Sequence, residues 1–147
     1  MTLRDPITYV ILMSAMGNVP DKAQRVLFID DDREMVPLVQ LILERRGYQV
    51  LPAYHGAEGL RIMQQEKGKI DLVLLDLMMP GLDGWQVLAA MKADEELRHI
   101  PVIVLTARLV RESADEAALY ADQVKHYVVK PFVMRELLAK IAQSLEG

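Results

Sequence analysis

Residues 70–84 read IDLVLLDLMMPGLDG, and this stretch decides the fold. Its apolar run ends at Asp76, and the pairs Pro80–Gly81 and Asp83–Gly84 that follow prevent the strand from continuing. An apolar run with such boundaries is typical of a buried strand in a parallel sheet. Because open α/β sheets bind ligands at the carboxyl ends of their strands, the stretch predicts a functional carboxylate at Asp76.

Short apolar runs alternate with helical periods from Val26 to the end of the chain. The predicted strands are Val26–Ile29, Tyr48–Leu51, Ile70–Leu75, Val102–Leu105 and Tyr127–Val129. Each is followed by apolar residues three or four positions apart, the spacing of one helix face. Five such units predict an α/β domain with a parallel sheet between two helix layers, a doubly wound three-layer fold. Pro37 lies in the first helical period and predicts that this helix begins late or bends there.

The composition allows one globular domain. The chain has 147 residues, of which 52% are hydrophobic and 26% are charged. We expect the domain at residues 25–147, after an N-terminal extension at residues 1–24. The apolar stretch at residues 7–16 is too short to span a bilayer, which takes about 20 residues. The extension is expected to pack on the domain or a partner, or to have no fixed structure.

Charge and cysteine content exclude several classes of function. The net charge of −4 argues against direct binding of nucleic acid or of an anionic membrane surface. The absence of cysteine excludes disulfides, thiolate nucleophiles and Cys-ligated zinc. We therefore expect a cytoplasmic protein.

Four of the predicted strands end in polar residues. These residues are Asp30, Asp31, Asp32, Asp76, Thr106 and Lys130. Because such strand ends meet at one crevice, they predict a cluster of carboxylates with a hydroxyl and an ammonium group. Adjacent carboxylates repel one another unless a cation offsets them, and Mg²⁺ prefers carboxylate ligands. Asp30 and Asp31 therefore predict a metal site.

Each of these residues also has an ordinary structural interpretation. Asp32 is favoured as the N-cap of the first helix, and Asp83 as the N-cap of the helix after the third strand. Thr106 alone fits a strand interior, and Lys130 alone fits a solvated surface. Taken together, however, Thr106 and Lys130 are the groups that stabilise the oxygens of a transferring phosphoryl group.

Four sequence blocks resemble the motifs of bacterial response-regulator receiver domains in order and spacing. The blocks are VLFIDDD at 26–32, DLVLLDLMMPGLDG at 71–84, IPVIVLTAR at 100–108 and YVVKPF at 127–132. The resemblance covers residues 25–145. Within the family, the chain is similar to the stand-alone receivers of the chemotaxis regulators. It implies a flavodoxin-like fold with strand order 2-1-3-4-5.

The resemblance implies roles for individual residues in accepting a phosphoryl group. It implies that Asp76 is phosphorylated and that Mg²⁺ is held by Asp30, Asp31, Asp76 and the backbone carbonyl of Met78. Thr106 is implied to be the hydroxyl that moves onto the phosphoryl group, and Lys130 the cation that pairs with it. Further implications are that Tyr127 is an aromatic switch that turns inward on activation and that the Lys130–Pro131 peptide is cis.

The resemblance also implies partners. The phosphoryl donor would be a sensor histidine kinase or a histidine phosphotransfer protein, and the output would be a changed contact with an unidentified effector. A phosphorylation-dependent homodimer is compatible with this scheme. The chain is not expected to be an enzyme beyond self-phosphorylation from small donors and autodephosphorylation. No output domain follows Glu146, which fits either a stand-alone regulator or a receiver taken from a larger one.

At two places the sequence departs from the family pattern, and these departures limit how far the roles of family residues can be assigned to this chain. The segment Gln123–His126 replaces the usual Gly-Ala-Asp-Asp before the fifth strand, which leaves the geometry of the output face open. Met78 and Arg108 hold positions that influence the attack of water on the phospho-aspartate. A methionine offers no group to orient that water, so we expect slow self-dephosphorylation.

Two other functions compete with this interpretation. A haloacid dehalogenase-like Mg²⁺ phosphatase is suggested by the Asp-x-Asp pattern at Asp30–Asp32, with Thr106 and Lys130 in a compatible order. Such an enzyme needs a further acidic pair after the lysine, and only Glu136 and Glu146 remain there. The other alternative is a receiver-like interaction module that is never phosphorylated.

Overall fold

A computed structural model describes residues 6–8, 23–107 and 114–146. Its strands are β1 (Arg25–Ile29), β2 (Gln49–Ala53), β3 (Leu72–Asp76), β4 (Val102–Thr106) and β5 (Val124–Val129). Its helices are α1 (Met35–Arg45), α2 (Gly56–Gln65), α3 (Gly84–Ala93), α4 (Ala114–Leu119) and α5 (Met134–Leu145), with a short 3-10 helix at Leu97–His99. Most of the extension at residues 1–24, and Arg108, lie outside the described residues.

All five strands are parallel and follow the order β2-β1-β3-β4-β5. One apolar cluster joins one face of the sheet to α2 and α3 and includes Met63 and Leu88. A second joins the other face to α1 and α5 and includes Leu43 and Ile141. The predicted three-layer, doubly wound α/β fold with strand order 2-1-3-4-5 is therefore confirmed. Among the described residues, no helix is both long enough and apolar enough to cross a membrane.

The central strands are buried on both faces. Every residue of β3 and of β4 is buried, including Asp76 and Thr106 at their carboxyl ends. The strand predicted as Ile70–Leu75 is shifted, because β3 begins at Leu72 and includes Asp76, which pairs with Leu105 of β4. The carboxylate of Asp76 is thus attached to the last residue of a hydrogen-bonded strand and not to a turn.

Two strand boundaries differ more from the prediction. Strand β2 extends through Pro52, which the sheet tolerates because β2 is an edge strand. Strand β5 begins at Val124 instead of Tyr127, because a bulge lies between the pairs Val102–Val124 and Ile103–His126. The bulge leaves Lys125 unpaired and exposed, which interrupts the alternation by which a strand is recognised in a sequence.

The start of α1 agrees with the prediction from Pro37. The helix begins at Met35, so Pro37 lies in the first turn, where a backbone N–H has no acceptor within the helix. The Oδ1 atom of Asp32 accepts the N–H groups of Glu34 at 3.0 Å and Met35 at 2.9 Å. The predicted N-cap at Asp32 is therefore two residues too early, because Glu34 occupies the N-cap position, although the Asp32 side chain does accept N–H groups at the start of the helix. These bonds to Met35 and Glu34 lower the pKa of Asp32.

The loop between β3 and α3 is held close to the strand end. Asp83 caps α3 by accepting the N–H of Gln86 at 2.9 Å, and the Gln86 side chain accepts the N–H of Asp83, also at 2.9 Å. The predicted N-cap at Asp83 is confirmed. Gly84 packs so tightly that a Cβ atom there would lie 2.6 Å from the carbonyl oxygen of Asp76 and 2.7 Å from Cα of Leu77. The absence of a side chain at Gly84 thus allows the start of α3 to pack directly against the backbone of Asp76 and Leu77.

Candidate functional site

Three carboxylates converge at the carboxyl edge of the sheet. Asp30, Asp31 and Asp76 each place an oxygen within 4.8 Å of the others. Asp30 and Asp76 are buried, whereas Asp31 is exposed. The parallel pairing of β1 and β3 brings them together, since Asp30 and Asp76 lie at the ends of adjacent strands. The predicted acidic cluster therefore exists as a geometric unit.

Lys130 supplies the positive charge of this cluster. Its Nζ lies 2.6 Å from Oδ2 of Asp30, to which it donates a hydrogen bond, and 3.8 Å from Oδ2 of Asp76. The backbone N–H of Lys130 donates to the carbonyl of Thr106 at 2.8 Å, which extends the pairing of β4 and β5. The Lys130–Pro131 peptide is cis, as the resemblance implied. The site thus contains the ammonium group that the sequence predicted there.

Asp76 has an unusual protonation equilibrium. Burial, together with the neighbouring charge of Asp30, raises its pKa to about 6 against the opposing effects of Lys130 and the N–H of Met78. That N–H donates to Oδ1 of Asp76 at 3.2 Å. With the surrounding carboxylates ionised, a negative charge on Asp76 is costly, and any added cation would favour it.

The loop after Asp76 presents Met78 at the site. Its N–H contacts Asp76, whereas its side chain is 53% exposed. The predicted role of the Met78 carbonyl as a metal ligand is not tested by these contacts and stays a prediction. The exposed side chain is apolar and has no donor that could orient a water molecule.

Thr106 and Tyr127 lie on the adjacent strands β4 and β5. Thr106 ends β4 and is buried. Tyr127 pairs with Val104 on β5, and its ring packs against the apolar cluster that includes α2 and α3. Its hydroxyl is buried without a hydrogen-bond partner in the part of the chain that the structure describes. Burial raises the pKa of Tyr127.

One contact at this edge was not predicted from the sequence. The Cζ atom of Arg33 lies 4.5 Å from the centroid of the Tyr54 ring. Tyr54 follows β2, and the N–H of Asp30 donates to the carbonyl of the preceding Ala53 at 3.0 Å. Because Ile29 pairs with Ala53, the next residues along the two strands, Asp30 and Tyr54, follow each other in register. The second strand predicted from the sequence ended at Leu51 and therefore did not bring Tyr54 to this end of the sheet.

The cluster suits a hard divalent cation. Its donors are all carboxylate oxygens, with one exposed carboxylate at the mouth and two buried ones behind it. Mg²⁺ binds carboxylates and keeps several waters, which an open site of this kind allows. Lys130 lies beside these carboxylates, and Thr106 ends the strand that pairs with β3, so the arrangement brings an ammonium group and a hydroxyl to the same end of the sheet as a buried carboxylate oxygen.

Comparisons with known proteins agree with this geometry. Residues 26–142 match the response regulator receiver domain. The transcriptional regulatory protein YbdJ of Bacillus subtilis, itself uncharacterized, is 39% identical over 125 residues, which are 85% of this chain and 52% of that protein. The chain thus spans about half the length of YbdJ. Chemotaxis protein CheY-3 of Vibrio cholerae is 35% identical over 132 residues, which are 89% of this chain and 98% of CheY-3.

Solved structures of receiver proteins are also similar to this chain. The chemotaxis protein CheY4 of Vibrio cholerae superimposes with a TM-score of 0.75 at 27% identity, over 84% of this chain and all of that one. A receiver domain protein from Clostridium thermocellum gives a TM-score of 0.74 at 30% identity, over 84% of this chain and 94% of that one. The flavodoxin-like fold implied by the sequence blocks is therefore confirmed.

Proposed function

The chain belongs to the response regulator receiver domain family, and from this premise we propose that Asp76 is the residue on which it is phosphorylated. Receiver domains act in two-component signal transduction, accept a phosphoryl group on an aspartate and interact with histidine kinases. They are signalling proteins and not classical enzymes. The observation that carries the proposal is the position of Asp76, buried at the end of β3 within reach of both Asp31 and Lys130. Family membership favours this function over a phosphatase of the haloacid dehalogenase type.

We propose that Asp30, Asp31, Asp76 and the backbone carbonyl of Met78 hold Mg²⁺, which receiver domains generally bind. The oxygen-only cluster within 4.8 Å supports the first three ligands. A bound divalent cation would supply charge compensation for the acceptor and for the phosphoryl oxygens. The raised pKa of Asp76 supports the same assignment, because added positive charge would stabilise the ionised carboxylate that acts as nucleophile.

The transfer itself is an in-line displacement at phosphorus. An Oδ atom of Asp76 forms the new O–P bond while the P–N bond of a phosphohistidine breaks. The leaving nitrogen keeps the electron pair of that bond and takes up a proton. Lys130 lies 3.8 Å from Asp76 and can approach the added oxygens, and Thr106 ends the adjacent strand with a hydroxyl that can donate to them. Acetyl phosphate would react in the same way through its P–O bond, and slow hydrolysis of the acyl phosphate would reset the site.

Phosphorylation would alter the face formed by α4, β5 and α5. The acyl phosphate adds about two negative charges. Thr106 would move toward this charge, and Tyr127 would respond because the two residues lie on adjacent strands, β4 and β5. We propose that this face then binds a protein effector or a second copy of the chain, and that the receiver itself does not contact nucleic acid. The net charge of −4 supports the last point and suits a cytoplasmic regulator.

The proposal is tested by incubation with acetyl phosphate and Mg²⁺, followed by intact-protein mass spectrometry. Asp76→Asn should abolish the phosphorylated species, and EDTA should prevent its formation in the wild type. Asp71→Asn is the matched control, because Asp71 precedes the same strand at the opposite edge of the sheet. Labelling that persists in Asp76→Asn would exclude Asp76 as the acceptor.

A further inference from the structure

Arg33 is a cation close in sequence to the acidic cluster. It comes two positions after Asp31, and its side chain is exposed. Within the described ranges it forms no ion pair with any of the neighbouring carboxylates, and its guanidinium lies over the Tyr54 ring instead. A guanidinium that stacks on an aromatic face keeps its N–H donors free at the edge of its plane. These donors are available to a ligand.

The formal charges of the site leave a place for a further cation. Asp30, Asp31, Asp32 and Asp76 together carry four negative charges when ionised, and the described ion pairs offset them only with Lys130. A divalent cation would still leave one negative charge, and a phosphoryl donor brings more. Lys130 is already hydrogen-bonded to Asp30 at 2.6 Å. Arg33 is the cation nearest to the cluster in sequence that no carboxylate has engaged.

We propose that Arg33 is a positioning residue for the phosphoryl donor, held on the β2 side of the site by Tyr54, and that it favours donors with a dianionic phosphoryl group. The inference rests on the proposed function of Asp76. The N–H of Asp30 donates to the carbonyl of Ala53, so the backbone that leads into Tyr54 is bonded to the first residue of the acidic pair. Arg33 then attracts the donor as it approaches and does not take part in bond formation.

The experiment compares rates of phosphorylation from two small donors in the presence of saturating Mg²⁺. Acetyl phosphate carries a dianionic phosphoryl group at neutral pH, whereas phosphoramidate carries less negative charge. At low salt, Arg33→Gln should lower the second-order rate constant for acetyl phosphate by about fivefold for each negative charge of the donor, the effect of a pair of unit charges near 4 Å in water. The loss for phosphoramidate should be smaller. Arg33→Lys should recover part of the rate, Tyr54→Leu should lower it and Tyr54→Phe should not.

Salt dependence separates attraction of the donor from a structural role. Between about 0.01 M and 1 M salt the Debye length falls from about 30 Å to about 3 Å. Because salt screens the charge of Arg33, the ratio of the wild-type rate with acetyl phosphate to the rate of Arg33→Gln should fall toward one over this range. The matched control is Arg46→Gln, which removes the same charge just beyond the other end of α1 and should behave as wild type. Calorimetric titration should show that none of these variants binds Mg²⁺ more weakly than wild type, because loss of a nearby positive charge does not disfavour a cation.

Three results would overturn the inference. These are wild-type rates and salt dependence in Arg33→Gln, equal losses for the two donors, and a weakened Mg²⁺ affinity that accounts for the slower rate. In each case Asp76 would still be labelled, and the proposed function would stand. Absence of labelling in the wild type would instead refute the proposed function.

Discussion

Lys130 places its Nζ 2.6 Å from Oδ2 of Asp30 and 3.8 Å from Oδ2 of Asp76. The ammonium is therefore committed to a fully buried carboxylate, while the proposed acceptor is left with weaker compensation. One side chain both stabilises a buried charge in the resting protein and stands ready for the added oxygens. Its removal should thus affect stability and phosphorylation, and the two effects can be measured separately.

Lys130→Met should lower the free energy of unfolding of the metal-free protein by about 2–4 kcal/mol, because breaking a buried ion pair leaves Asp30 without compensation. Urea unfolding with EDTA measures this loss. Mg²⁺ should restore part of it, since added positive charge again offsets the carboxylate. Lys125→Met, at the exposed bulge position, is the control and should change little. A Lys130→Met variant as stable as wild type in EDTA would show that the pair contributes nothing.

The raised pKa of Asp76 predicts that the contribution of this carboxyl group to the stability of the metal-free protein falls as the pH rises. The folded-state pKa of about 6 lies above the reference value of 3.8, so folding favours the protonated carboxyl. This contribution is complete below about pH 4 and is lost as the pH rises through 6. A shift of this size corresponds to about 3 kcal/mol as an upper limit.

Asp76→Asn should therefore be more stable than wild type by about 1–3 kcal/mol at pH 8 in EDTA, and the difference should shrink toward pH 4. Chemical unfolding of both proteins across this pH range measures the difference. Saturating Mg²⁺ should remove most of the advantage, because the ionised carboxylate is then compensated. A difference that does not vary with pH would assign it to packing and not to the carboxyl group.

Gly84→Ala should displace the strand end that carries Asp76. The new Cβ atom would lie 2.6 Å from the carbonyl oxygen of Asp76 and 2.7 Å from Cα of Leu77, and both are backbone atoms. We expect a loss of about 1–3 kcal/mol in the free energy of unfolding, together with weaker Mg²⁺ binding and slower phosphorylation.

Gly68→Ala is the control for that variant. Gly68 has φ +78° and open space around it, so alanine there costs stability through backbone strain alone. Unfolding, Mg²⁺ titration and acetyl phosphate labelling should be run on both variants. Equal labelling rates in the two would show that Gly84 supports the fold and not the site.

The sequence was sufficient to predict those parts of the molecule that follow from the pattern of apolar residues and from the residues at the strand ends. It predicted the order of the elements and the cluster of Asp30, Asp31, Asp76 and Lys130, because parallel strands deliver their carboxyl ends to one edge. It did not predict the start of β5, since the bulge at Lys125 breaks the alternation. It also missed the contact between Arg33 and Tyr54, which depends on a side-chain orientation that no local pattern specifies.

The buried side chain of Gln123, just before β5, lowers the stability of the fold. It is only 5% exposed, and neither polar atom of its side chain has a hydrogen-bond partner among the residues that the structure describes. A buried amide without partners costs about 1–3 kcal/mol. Gln123→Met keeps a similar volume and removes the amide, so it should raise the free energy of unfolding by about 1 kcal/mol. The matched control is Gln49→Met, at an exposed position of β2, which should change stability by less than about 0.5 kcal/mol. Urea unfolding of both variants measures these changes in the free energy of unfolding. A destabilised Gln123→Met would mean that the amide of Gln123 has hydrogen-bond partners in solution.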